Sequence, residues 1–172
     1  MYRNPALKKT AAAVESLHGE IDLAVKKISN LHESRLQCRR GCRECCMDDI
    51  SVFEIEADLI RFNHEQLLSS KNPGPAGACA FLDINGSCRI YEHRPYVCRT
   101  QGLPLHWLEE HNGNNIGMRD ICPLNDNGTP VENLPEDACW IIGPFEEKLA
   151  ELQYNTYENS MRRVKLRDLF AQ

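Results

Sequence analysis

The sequence has no apolar run near the roughly 18–20 residues needed to span a bilayer. It also has no excess of positive charge. At a formal −5 it lacks the basic balance expected of a nucleic-acid or anionic-membrane binder. The first twenty residues, MYRNPALKKTAAAVESLHGE, carry charges every few positions and no continuous apolar core, so they do not read as a secretory signal. There is no internal repeat and no low-complexity tract. A Gly-rich dinucleotide fingerprint, a P-loop, a nucleophile elbow and an H-E-x-x-H pair are all missing. These absences remove the common enzyme signatures. They leave a cluster-dependent enzyme open, because there the reactive part is the cofactor.

What is present is an ordinary soluble composition, 42% apolar and 26% charged, on 172 residues. A chain of that length can bury a core without disulfide staples. Against that background stand nine cysteines. In a reducing cytoplasm, the compartment expected here, disulfides seldom persist, so dense cysteine points to metal or redox chemistry. An odd count also forbids complete pairing within the chain.

The expected fold is mainly α: an irregular metal-binding domain with long N- and C-terminal helices and one small β-hairpin. A single domain over 1–172 is read, with a cysteine-bearing core at 35–125 and a helical scaffold at 1–34 and 144–172. Val14, Leu17, Ile21, Ala24, Ile28 and Leu31 alternate steps of three and four, which predicts a helix from about Ala6 to Leu36 with His18 and His32 on its surface. Ser51-Val-Phe-Glu54 has capping-box spacing and predicts a helix from there to about Leu68. Pro73, Gly74, Pro75 and Gly77 mark a loop. Asn85-Gly86 predicts a tight hairpin turn between Ala80–Asp83 and Cys88–Tyr91. Arg94-Pro95 predicts an extended residue and then a helical turn carrying Cys98. Residues 100–143 read as irregular. From Pro144 a last helix is expected nearly to the end, with Phe145, Leu149, Leu152, Tyr157, Met161 and Val164 on or near one face, able to pack on the first helix.

Four-coordinate zinc and iron–sulfur clusters both need thiolates converging within a few ångströms. Cys42 and Cys45 form a C-x-x-C pair. Cys38 precedes them and Cys46 follows, giving four thiols within nine residues. Neighbouring side chains diverge in most backbone conformations, so Cys45 and Cys46 can serve different metals or different parts of a cluster. Cys79, Cys88, Cys98 and Cys122 form a second group. Eight thiols can fill two four-ligand sites, or one cluster with spare thiols; spacing does not apportion them. Cys139, beside Trp140 and Ile141, reads equally well as a plain core thiol. Arg35, Arg39, Arg40 and Arg43 flank the first group, and Arg89, Arg94 and Arg99 the second, where they would offset thiolate charge. Asp48, Asp49, His64, His93 and His106 offer harder ligands, with His93 the best placed, and Arg94 offers a bidentate fork to an anion.

The ordered series Cys38-x3-Cys42-x2-Cys45-Cys46, Cys79-Ala-Phe-Leu and Gly86-Ser-Cys88-Arg-Ile-Tyr91-Glu-His-Arg94-Pro95-x-x-Cys98-Arg99 resembles the CxxCxxCC family. This family is also called YkgJ-like and is described as zinc- or iron-chelating. The likeness covers roughly residues 35–125, and the first gap is three residues rather than two. It implies metal chelation by Cys38, Cys42, Cys45, Cys46, Cys79, Cys88 and Cys98, with Cys122 joining them. It also implies an iron–sulfur cluster in preference to zinc. A similar module in flagellin lysine methylases implies the alternative of a cluster-dependent enzyme or enzyme subunit in redox or methyl-transfer chemistry. A thiol redox switch, with reversible disulfides and no tightly held metal, is a third reading. The expected partner is the metal or cluster, with neither nucleic acid nor membrane. The stripe of the first helix would serve a homodimer or another protein as readily as an internal core.

Overall fold

The three-and-four spacing of apolar residues produces the first helix, α1 (Pro5–Leu31), which ends at Leu31 and not at the expected Leu36, in a computed structural model that describes residues 5–39 and 41–171. Val14, Leu17 and Ile21 are buried, Ala24 and Ile28 pack half-buried beside them, and Leu31 stands exposed at the end. The stripe therefore faces the core of the chain. His18 and His32 are not surface residues. His18 shares the i, i+3, i+4, i+7 face of Val14, Leu17 and Ile21, so it is carried inward, and its Nε2 lies 3.1 Å from Glu56 Oε1. His32 Nε2 lies 2.6 Å from the Ala138 carbonyl oxygen.

The Ser51–Glu54 spacing does not cap a helix. Ser51–Phe53 forms strand β1, and helix α2 (Glu54–Asn63) starts directly after it, followed by the short α3 (Glu65–Ser69). The orphan amides at the start of α2 are met from far along the chain. Ile55 N–H donates to Gln153 Oε1 at 3.1 Å, and Glu54 N–H to the Arg162 carbonyl at 3.2 Å. Below this, Cys98 sits on α4 (Tyr96–Arg99) after an extended Arg94-Pro95, as the sequence predicts.

The hairpin lies elsewhere than expected. Around Asn85-Gly86 there is only a single bridge, Leu82 to Cys88, and the loop is held by Asp83, whose Oδ1 accepts from the amides of Asn85 and Ser87 at 2.8 Å each. The segment expected to be irregular instead contains strands β2 (Leu105–His111) and β3 (Asn114–Asp120) in antiparallel register. Asn112 (φ 52°) and Gly113 (φ 79°) turn the chain between them, the left-handed pair that a two-residue hairpin requires. Strand β4 (Trp140–Ile141) adds parallel to β2, giving the order β3-β2-β4.

The last helix is also shorter than expected. Helix α5 (Pro144–Thr156) packs on α1, and then Glu158 and Asn159 take left-handed conformations that reverse the chain. Strand β5 (Arg163–Lys165) pairs antiparallel with β1, Val164 opposite Val52, and a 3-10 turn (Leu166–Phe170) follows. The chain is 45% helical and 15% strand, with five helices and two small sheets among the described residues. This is a mixed α/β fold, and the mainly α expectation with one hairpin is corrected. Strands of two or three residues leave almost no period-two trace in a sequence, and the seven-residue β2 and β3 are mostly exposed and lack apolar alternation. Their stability comes from distant partners.

Two apolar clusters organise the molecule. One gathers α1, Ile55 and Leu59 of α2, Tyr96, Trp140 and Leu149. The other gathers Val52, Ile60, Phe81, Leu82, Ile90, Val164, Leu166, Leu169 and Phe170, with Cys79 inside it and Cys46 and Cys88 against it. Among the described residues no helix is long and apolar enough to cross a membrane.

Candidate metal centre

The loop after α1 contains Cys38, Cys42, Cys45 and Cys46 and is built from tight turns. Cys42 N–H donates to the Arg39 carbonyl and Cys46 N–H to the Arg43 carbonyl, each at 2.9 Å, and Gly41 supplies a left-handed residue (φ 87°). Arg40 lies outside the described residues.

Two residues that sequence reading passed over fix the first part of this loop. Asn125 is fully buried and uses all its groups. Its Oδ1 accepts from Gln37 N–H at 2.7 Å, and its Nδ2 donates to the Gly102 carbonyl at 2.7 Å and to Cys38 Sγ at 3.4 Å. Its own N–H donates to the Cys122 carbonyl at 2.7 Å, and its carbonyl accepts from Arg35 Nε at 3.0 Å. Asn125 thus clamps the Cys38 segment to the Cys122 segment. Gly102 (φ 91°) lies against the same thiol: a Cβ there would stand 2.5 Å from Cys38 Sγ. An Asn just after a Cys-Pro pair and a Gly in a Thr-Gln-Gly turn have no local signal of such a role.

The second part of the loop is registered differently. Cys79 N–H donates to the Cys46 carbonyl at 2.9 Å, which joins the end of the cysteine loop to the Cys79–Leu82 segment. The Leu82–Cys88 bridge and an Arg89 N–H to Phe81 carbonyl bond of 2.8 Å bring Cys88 alongside. Cys79 is buried, Cys46, Cys88 and Cys98 are half-buried, and Cys38 is exposed.

Electrostatics follow this arrangement. Burial raises the Cys38 thiol, the Asn125 amide works against that, and the charges of Cys42, Cys122 and Cys45 raise it further. Burial pushes Cys98 well up, reinforced by Cys79 and Cys88, then Glu56 and Cys45. Cys79 and Cys88 are raised chiefly by burial. The Cys46 thiol hydrogen-bonds to the Cys45 sulfur, which lowers Cys45 and raises Cys46; Cys79 and Cys98 add to the latter. Thiols that oppose one another's ionisation in this way fit a bound cation, which would favour the thiolate form at each of them. The donor set is soft sulfur, which suits zinc and iron–sulfur clusters. Among the described residues, no group of three or more His, Cys, Asp or Glu side chains is placed so that it could hold a metal ion.

The harder ligands are otherwise engaged. Asp48 pairs with Arg167 and accepts from Gly77 N–H, and Asp49 pairs with Lys165 at 3.1 Å. His64 Nε2 and His93 Nδ1 lie 3.0 Å apart; His106 is the exception, buried in β2 with its Nδ1 lacking a hydrogen-bond partner. Cys139 is buried and accepts from Arg119 Nη1 at 3.1 Å. Arg94 stacks on the Tyr91 ring and lies 3.6 Å from Asp22. Arg99 anchors α4 to α1 through Asp22 at 2.5 Å. The guanidinium groups that reach the second group of thiols are Arg89 and Arg167 toward Cys79, and Arg94 and Arg89 toward Cys88. Arg167, from the far end of the chain, was invisible as a candidate because nothing near it in sequence carries a thiol.

A family model described as CxxCxxCC, "Putative zinc- or iron-chelating domain", matches residues 37–123, half of the chain. The chain belongs to the CxxCxxCC family. All eight thiols of the two groups fall within the CxxCxxCC match, whereas Cys139 and Asn125 fall outside it. No curated protein and no solved structure matched the chain.

Proposed function

We propose that this chain is a metal-binding protein that holds an iron–sulfur cluster, or failing that zinc, through Cys38, Cys42, Cys45, Cys46, Cys79, Cys88, Cys98 and Cys122. The observation that carries this reading is the meeting of cysteine-bearing segments within the family match, joined by the Asn125 contacts to Cys38 and Cys122 and by the Cys79–Cys46 backbone bond. A cation stabilises such an assembly of thiolates, and metal binding would in turn stabilise loops with little regular structure. The number of thiols exceeds what one structural zinc requires, which favours iron–sulfur. When bound, the group supplies either electron storage or a structural crosslink. The chain's own residues hold it, and Arg89, Arg94 and Arg167 offset its charge. The proposed setting is a reducing compartment, where the thiols stay available.

The test is to purify the full chain without oxygen and determine zinc, iron and acid-labile sulfide per chain. Iron with matching sulfide supports the preferred reading. A colourless protein with stoichiometric zinc and no sulfide replaces it by the zinc reading. A folded, metal-free protein from cells supplied with both metals rejects metal binding.

A further inference from the structure

We propose that the outer edge of β3 joins two copies of this chain into a dimer, the two β3 strands antiparallel and Gly117 opposite its own counterpart on the two-fold axis. This goes beyond metal binding and does not depend on it. The α1 stripe that could have served a dimer is packed inside the chain instead.

In the order β3-β2-β4, β3 is an outer strand. It runs from Asn114 to Asp120 in unbroken register with β2, so it has no bulge, and it contains neither proline nor lysine. Those are the usual devices that keep an outer strand from pairing. All its residues but Arg119 are exposed. Which backbone groups face outward follows from β2. There the Pro104 and His106 carbonyls accept from Trp140 and Ile142 N–H, on the β4 side, at 2.7 and 2.9 Å. Successive residues of a strand point their backbone groups to opposite sides. Leu105, Trp107, Glu109 and His111 therefore bond toward β3, to Asp120, Met118, Ile116 and Asn114. Asn115, Gly117 and Arg119 are left pointing outward, and among the described residues no backbone hydrogen bond joins them to another segment.

The sequence of β3 is self-complementary in one register. Two identical antiparallel strands must set outward residues opposite outward residues, so the axis passes through Asn115, Gly117 or Arg119. At Arg119 two guanidinium groups would stand face to face. At Asn115, Ile116 would meet Asn114, and Met118 would meet Asn112 of the turn. At Gly117 each Ile116 meets the second copy's Met118, Asn115 meets Arg119, and Asn114 meets Asp120, so no charge meets its like. Ile116 and Met118 share a face with Trp107, the β2 partner of Met118, and are 46% and 37% exposed. Pairing covers both in each copy. Gly117 suits the axis because its other face is taken: a Cβ there would stand 3.1 Å from His106 Nε2.

The experiment is sedimentation equilibrium on the full chain, purified without oxygen and kept reduced so that no disulfide links two copies. The expected result is a reversible monomer–dimer equilibrium, since a single strand pair buries little area. A chain still monomeric at about 1 mM overturns the proposal. Ile116→Lys sets its lysine beside Glu109 of the same hairpin, which keeps the fold, and opposite the second copy's Met118. It should weaken association by about tenfold or more, and Met118→Glu should do the same, with far-UV circular dichroism unchanged. Ile116→Lys/Met118→Glu sets opposite charges across the axis at both positions and should recover most of the association, now weakened by salt. Single variants that leave the dimer unchanged place it on another surface, and a double variant that recovers nothing refutes the register; either overturns the proposal. Amide hydrogen exchange gives the same answer on the unaltered chain if a variant does not fold. On dilution to monomer the amides of Asn115, Gly117 and Arg119 should lose protection while those of Ile116 and Met118, bonded to β2, keep it. Equal loss at all of these amides, or none at any, overturns the proposal.

Discussion

At the scale of single residues, Asn125 has the most consequences. It is buried without exposure and satisfies the Gln37 amide, the Gly102 carbonyl and the Cys38 thiol at once. Asn125→Ala leaves the first two without partners, and we expect a loss of about 1–3 kcal/mol in urea unfolding. An unchanged midpoint would mean that water replaces the side chain. A second residue-scale expectation concerns His64. Burial first, and then the facing His93, hold its pKa below the ordinary value. The unfolded chain therefore binds more protons between the folded pKa and the ordinary value of about 6.5. This contribution to stability is complete above that value and declines as pH falls through the window. His93→Gln removes the facing charge but not the burial, so its stability should fall less steeply than the wild type between about pH 7.5 and 5.5. Parallel unfolding curves at both pH values would rule the pair out as a source of the slope.

At the scale of elements, two junctions replace the local signals that the sequence offers. The start of α2 is capped by Gln153 of α5, whose Oε1 accepts from Ile55 N–H and whose Nε2 donates to the Ser160 carbonyl at 2.9 Å. Gln153→Ala should cost about 1–2 kcal/mol in thermal or urea unfolding, comparable to removing a local cap. Ser51→Ala should cost far less, since Ser51 caps nothing and pairs in β1. If the serine variant is the more damaging, the tertiary cap is wrong. The second junction is the Asn112-Gly113 turn. Both residues have positive φ, and adding a Cβ at Gly113 meets no atom within 4 Å, so Gly113→Ala isolates backbone strain. A destabilisation of about 1–2 kcal/mol is expected, read from the melting temperature.

For the whole molecule, the two apolar clusters divide the labour. The cluster built mainly on α1, α2 and α5 contains no cysteine, whereas the other includes Cys79 and supports Cys46 and Cys88. Metal removal should therefore leave far-UV helical signal largely intact while the 36–50 loop becomes the first site of limited proteolysis. Protease resistance unchanged by complete demetallation would show that the loop does not depend on the ligand. The scaffold's own stability is testable separately. Ile21→Ala, at a fully buried position on α1, should cost about 2–5 kcal/mol with or without metal.

The sequence by itself determined α1, the Pro95 break before α4, and the family to which the cysteine-rich segment belongs, because these rest on local rules: helical periodicity, fixed proline φ and cysteines at short spacing. Tertiary structure alone decided the short strands, the reversal after α5, the inward turn of His18 and the company each thiol keeps. Asn85-Gly86 and Asn112-Gly113 are the same dipeptide. Only the second becomes a hairpin, because β2 finds β4 beside it, whereas the chain around Asn85 is held by Asp83 and leads into a helical turn at Tyr91. The cysteines follow the same rule. A backbone bond joins Cys46 to Cys79 and the Asn125 clamp joins the Cys38 segment to the Cys122 segment, and contacts between distant segments are set by packing, which no local pattern encodes.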